Sequence, residues 1–93
     1  MIKSFKSKEA LKIWDRKFSK KLPQDIQVRA YDRLRILNAA QQLGDLMVTP
    51  AYELEALSGN RKGHYSIRIN DQWRICFKWR GGDVYEVEVT DYH

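Results

Sequence analysis

Two hydrophobic periods divide this chain. Up to about Gly44 the apolar residues recur at helical spacing, and from His64 onward they alternate with polar ones. The alternation predicts strands over residues 64–69, 72–79 and 84–90. Arg80-Gly81-Gly82-Asp83 separates the last two, and Gly-Gly supplies the positive φ that a tight hairpin needs. Strand parity places Tyr65, Ile67, Ile69, Trp73, Ile75, Phe77, Trp79, Tyr85, Val87 and Val89 on one apolar face. His64, Ser66, Arg68, Gln72, Arg74, Cys76, Lys78, Val84, Glu86 and Glu88 fall on the other.

Upstream, Ser7 is placed to cap a helix whose apolar stripe is Leu11, Trp14 and Phe18, with Lys17, Lys20 and Lys21 at its end. Pro23 suits the first turn of a second helix, carried by Ile26, Ala30, Leu34, Leu37 and Leu43 and closed by Gly44. Its other side, with Arg29, Arg33 and Arg35 beside Asp32 and Gln41, reads as a solvated face. Residues 2–5 suit an edge strand, 45–52 a loop, and 52–54 a short strand. The pattern predicts one α+β domain over residues 1–93, with two N-terminal helices packed on one face of a small, mostly antiparallel sheet.

Composition narrows the class. Ninety-three residues at 43% hydrophobic and 31% charged describe one ordinary globular core. No apolar run approaches the ~20 residues of a membrane span, and the first residues lack the apolar centre of a secretory signal. Cys76 stands alone, so neither an internal disulfide nor a cysteine-held zinc is available, and a reducing cytoplasm fits. The charge of +5 suits a polyanionic partner and suits solubility equally well.

Candidate chemistry gathers in the last third. Ser58-Gly59-Asn60-Arg61-Lys62-Gly63 reads equally as a surface turn and as a basic loop approaching phosphate, without P-loop spacing. On the polar sheet face, Arg68, Arg74 and Lys78 beside Glu86 and Glu88 read first as cross-strand ion pairs on a wet surface. The alternative is a concave basic surface with a carboxylate to tune or orient a cation. Neither His64 nor His93 has metal-ligand spacing, and Cys76 reads as a small packing residue.

Several stretches then point to one family. They are Met1 to Phe5, Leu57-Ser58-Gly59-Asn60-Arg61 with Gly63, Ser66-Ile67-Arg68, Asn70-Asp71-Gln72-Trp73-Arg74, and the closing Asp91-Tyr92-His93. On these the whole chain resembles the HigB group of RelE-like bacterial toxins, including its GraT-like branch. The resemblance implies a ribosome-dependent endoribonuclease that cuts mRNA without metal or other cofactor. It also implies a HigA-like helix-turn-helix antitoxin as partner, with operator DNA bound only through that complex and no membrane role. The family's strand arginine falls on Arg74 and its C-terminal trio on Asp91, Tyr92 and His93. Cleavage by a 2′-hydroxyl needs a base, a cation at phosphorus and an acid for the leaving oxygen. Arg74 is expected to hold the phosphate, His93 to serve as acid or base, Asp91 to shape its protonation, and Tyr92 to stack or orient. Arg61, Lys62, Arg68 and Lys78 are expected RNA contacts. The better-known branch has His-Pro-Leu-Lys-Gly where this chain has Glu55-Ala56-Leu57-Ser58-Gly59, a feature it shares with the GraT-like branch. Glu55 is then a carboxylate available as base, and a weaker toxin is expected. The alternative is a catalytically poor RNA- or ribosome-binding partner that works mainly through its antitoxin.

Overall fold

A computed structural model describes residues 1–91. Its elements run α1 (Lys8–Trp14), α2 (Gln24–Ala39), β1 (Glu55–Ala56), β2 (His64–Arg68), β3 (Trp73–Arg80) and β4 (Asp83–Asp91). Short 3₁₀ turns, Leu43–Leu46 and Pro50–Tyr52, lie between α2 and β1. The strands form one antiparallel sheet in the order β1-β2-β3-β4. Residues at the N-terminus add parallel bridges, Ile2 to Val84 and Phe5 to Val87, so the expected edge segment attaches to β4. The helices lie on one sheet face, as the α+β pattern predicts.

The core explains the elements. Ala10 and Ile13 of α1 meet Ile26, Ala30, Leu34 and Leu37 of α2 over Ile67, Ile69, Ile75, Phe77, Val84 and Val87. Gly81 and Gly82 both take positive φ (57° and 84°) in the two-residue hairpin loop, which pairs Arg80 with Asp83. Asn70 makes the corner between β2 and β3, its Oδ1 accepting the N–H groups of Gln72 (2.9 Å) and Trp73 (2.8 Å).

Five expectations are corrected. The first helix ends at Trp14, and Leu11 and Phe18 are exposed while Ala10 and Ile13 are buried. The stop is a Schellman turn: Lys17 N–H bonds the Lys12 carbonyl at 2.8 Å, and Arg16 N–H bonds that of Ile13 at 2.9 Å. Arg16 takes φ 62° there, the place glycine normally fills, with its guanidinium over the Tyr31 ring. The second helix ends at Ala39, and Gly44 lies inside a 3₁₀ turn. Pro23 caps that helix from just outside its first turn.

The third correction concerns Arg29 and Arg33, which clamp the sheet. Arg29 donates to the Ile69 carbonyl at 3.3 Å, and Arg33, 13% exposed in its side chain, donates to that of Arg68 at 3.0 Å. Fourth, residues 50–52 form a 3₁₀ turn, and the edge strand starts later, at Glu55. Fifth, β4 carries a bulge. Cys76 pairs with Glu88 but Lys78 pairs with Tyr85, which leaves one extra residue on β4. Glu86 adopts φ 54° at that point, and its N–H is held by the Ser4 hydroxyl at 2.9 Å. The bulge breaks simple alternation, so Val84 and Val87 are both fully buried while Tyr85 is only half-buried.

The Asp45 carboxylate ends α2 by competition. It accepts the N–H groups of Gln41 (2.9 Å) and Gln42 (3.2 Å), drawing the backbone out of the helical path. These two bonds, Gln41 first, hold Asp45 below its ordinary pKa of 3.8. Because the folded value is depressed, the anion stabilises the fold above the ordinary carboxylate pKa, and this contribution is lost as pH falls through the lowered value. NMR titration should place the Asp45 midpoint below 3.8, and Asp45→Asn should flatten the acid limb of the melting curve against pH. An unshifted midpoint would remove the carboxylate's part in ending α2.

Candidate functional site

The sheet face turned away from the helices is where the polar strand positions meet. Cross-strand register aligns Arg68, Arg74 and Thr90 in one row, and Glu55, Ser66, Cys76 and Glu88 in the next. Arg74 departs from the wet surface of ion pairs expected for this face: it is 7% exposed beside Ser66 at 0%, while Cys76, at 1%, is the packing residue expected. The Thr90 hydroxyl is buried beside Arg74 in the register and finds no hydrogen-bond partner among the described residues.

Arg74 is held on several sides. Its Nε donates to Ser66 Oγ at 2.8 Å, and Nη2 donates to the Ser66 carbonyl at 3.3 Å and to the Glu53 carbonyl. Nη1 stands 3.8 Å from Glu55 Oε1. A buried guanidinium loses several kcal/mol of hydration, and it persists only where such bonds replace water. Glu53 offers its carbonyl because it sits in the left-handed region, at φ 43°. Glutamate carries no signal for that conformation, so sequence reasoning missed Glu53.

A groove of about 260 Å³ opens here, lined by Glu53, Glu55, Arg68, Asn70, Asp71 and Arg74. Arg68 pairs with Glu53 at 3.1 Å and with Asp71. Three carboxylates thus line the groove with two guanidiniums, so it is mixed in charge instead of simply basic. Such a site can orient a phosphate at Arg74 while a carboxylate stands ready to take a proton.

The structure brings Arg74, Glu55 and Arg68 together. Asp91 ends β4 opposite Trp73, one position along from Arg74, and accepts from Gln72 Nε2 at 3.1 Å. Lys78 lies two pleats further along β3, opposite His64, near the turn that carries Arg61 and Lys62. The expected pairing of sheet cations with Glu86 and Glu88 takes other partners. Glu88 meets Lys6 (3.2 Å) and Arg61 (3.8 Å), and Glu86 meets His64 (3.6 Å). Tyr92 and His93 lie outside the described residues. Among the described residues, no three His, Cys, Asp or Glu side chains are grouped to hold a metal ion, and no helix is long and apolar enough to cross a membrane.

The fold is that of the RelE-like toxins. A YafQ mutant from E. coli superposes with a TM-score of 0.64 at 12% identity, covering 98% of this chain and 91% of that one. Staphylococcus aureus YoeB in its heterotetrameric complex with YefM gives 0.63 at 16% identity, covering 100% and 98%. Within that fold, residues 3–93 match the family described as RelE-like toxin of type II toxin-antitoxin system HigB. Endoribonuclease HigB of Proteus vulgaris is 36% identical over 93 residues, all of both chains. Toxin HigB-1 of Vibrio cholerae serotype O1 is 41% identical over 68 residues, 73% of this chain and 72% of that one. The chain belongs to the HigB-like family.

Proposed function

We propose that this protein is an endoribonuclease toxin that cuts mRNA on the ribosome, using Arg74 as the cation at phosphorus. The observation that carries the reading is the buried Arg74 guanidinium, fixed by Ser66 and Glu53 with its remaining edge near Glu55. A pre-oriented cation favours the doubly charged phosphorane over the singly charged phosphodiester. In the proposed step, Glu55 takes the 2′-hydroxyl proton and O2′ bonds to phosphorus. The P–O5′ bond then breaks, and His93 gives a proton to O5′. The products are a 2′,3′-cyclic phosphate and a 5′-hydroxyl end, and each role is filled by a side chain. Asp91 tunes His93, Tyr92 stacks on a base, and Arg61, Lys62, Arg68 and Lys78 follow the RNA backbone. The same reading supplies a helix-turn-helix antitoxin as partner, operator DNA bound through that complex, and a cytoplasmic site of action.

The test adds purified protein to ribosomes carrying a defined mRNA, and to the same mRNA alone. Cuts that appear only on ribosomes support the reading, whereas equal cutting of free mRNA would end ribosome dependence. Glu55→Gln is expected to slow cleavage by ~10²–10⁴-fold, the usual contribution of a positioned base. With Glu55 exposed, the melting temperature should barely change. A rate within threefold of wild type would take the base role from Glu55. The acid-rich lining of the groove favours a second reading, a weak nuclease acting chiefly through its antitoxin complex. Normal ribosome binding with intact mRNA would select it.

A further inference from the structure

We propose that Tyr85 is a stacking platform for a base of the mRNA strand held at Arg74, with Lys78 and Arg80 receiving the adjoining phosphates. The proposal rests on the reading of this chain as an mRNA-cutting toxin and adds a contact that strand parity assigns to the core.

The bulge in β4 puts Tyr85 there. Simple alternation groups Tyr85 with Val87 and Val89, on the face that the helices cover. One extra residue turns every side chain on its far side to the opposite face. Tyr85 consequently stands opposite Lys78, while on the near side Glu88 stands opposite Cys76 and Thr90 opposite Arg74. Side chains directly opposite each other in an antiparallel pair lie on one face, so Tyr85 shares the face of Arg74. The packing agrees. Val84, which alternation assigns to the polar face, is fully buried in the core. Tyr65, Trp73 and Trp79 pack against that core, whereas half-buried Tyr85 does not. Among the described residues no other ring stacks on it. The N-terminal segment fixes the inversion, bridging Val84 and Val87 on either side and bonding the Glu86 N–H between them.

Charge selects the occupant. Lys78 lies between Tyr85 on β4 and His64 on β2, and Arg80 follows on the same face of β3. Among the described residues neither Lys78 nor Arg80 pairs with a carboxylate. The acids nearby in sequence are engaged elsewhere: Glu86 meets His64 at 3.6 Å and Asp83 the N-terminal ammonium at 3.4 Å. An accessible aromatic ring beside unpaired cations suits a nucleobase with its phosphates. Lys78 lies four residues from Arg74, roughly 13 Å along β3, so one extended RNA strand reaches both.

The experiment uses programmed ribosomes whose mRNA carries a 2′-deoxy nucleotide at the cleavage position and therefore stays uncut. A 2-aminopurine label, whose emission falls when it stacks, is placed in turn at each nucleotide flanking that position. Wild-type protein should quench one of them. Tyr85→Leu keeps apolar bulk without a π face; it should abolish the quenching and raise Kd by ~5–100-fold, the usual effect of losing one stacked base. Tyr85→Phe should restore both, and melting temperatures report folding. Arg80→Glu, at an exposed site, leaves the ring alone and should raise Kd while flattening its dependence on salt. Undiminished quenching in Tyr85→Leu, or none at any position in wild type, would overturn the proposal. So would a loss of ribosome affinity in Tyr85→Leu with no label quenched, which would give the ring to ribosomal RNA. Binding is read on uncut mRNA, so wild-type protein that quenches but never cleaves would end the nuclease reading and keep this one.

Discussion

Arg74→Ala is expected to lower mRNA cleavage on programmed ribosomes by ~10²–10³-fold or more, the usual effect of removing one pre-oriented charge from a transition state. The change also removes a guanidinium from a buried frame. Ser66 Oγ and the Glu53 carbonyl lose their donor, and Glu55 loses a cation 3.8 Å away. Each buried acceptor left in this way costs ~1–3 kcal/mol, against a total of ~5–14 kcal/mol for a domain of this size, so the variant should be clearly destabilised and still mostly folded at 25 °C. Arg74→Lys separates the two effects. Lysine keeps the charge but lacks the planar fork that reaches Ser66 and Glu53 together, so an intermediate rate is expected. Cleavage rate and melting temperature should be measured on both variants. Full activity in a folded Arg74→Ala protein would remove the main support for the proposed mechanism.

The largest effect on stability should come from Phe77→Ala. Phe77 is fully buried on β3, beside Tyr65 at 6.2 Å between ring centroids, at the point where β4 bulges past it. Truncating a buried phenylalanine costs ~3–5 kcal/mol in lost transfer energy and residual cavity. For a domain of this length that lowers the melting temperature by on the order of 20 °C. Calorimetry checks it. A fall of only a few degrees would mean that the bulged strand collapses into the space.

Much of this fold is legible in the residues, for reasons that can be named. Ile26, Ala30, Leu34 and Leu37 keep one period through α2, and all four are buried. The β3–β4 hairpin is legible because Gly81 and Gly82 are the residues its loop demands. The misses share a cause: Arg16, Glu53 and Glu86 take the left-handed conformation without being glycine. Each is held there by tertiary partners, such as the Ser4 hydroxyl at Glu86, which no local window contains. The end of α1, the accepting carbonyl at Glu53 and the bulge in β4 were hidden accordingly. In the groove, Arg74 stood out through family resemblance, whereas Glu53 and Asp71 reach it through chain topology, 21 and 3 residues away in sequence. The wet-surface reading of Arg74 failed because alternation records which face a residue shares and says nothing of what covers that face, whereas Cys76 is buried as a small packing residue should be.

The pairing of the N-terminal segment with β4 constrains when this protein can become active. Ser4 and Glu86 are bonded across 82 residues, and the bulge they fix lies in the last strand. Its antiparallel partner β3 is made late as well, so the first residues have no sheet to join until β4 has been synthesised. Contacts of such long sequence separation form slowly and late in folding. The Arg74 row, which Thr90 of β4 completes, is therefore assembled only after β4 has been translated. A chain interrupted before β4 therefore carries Arg74 without its neighbour in the register.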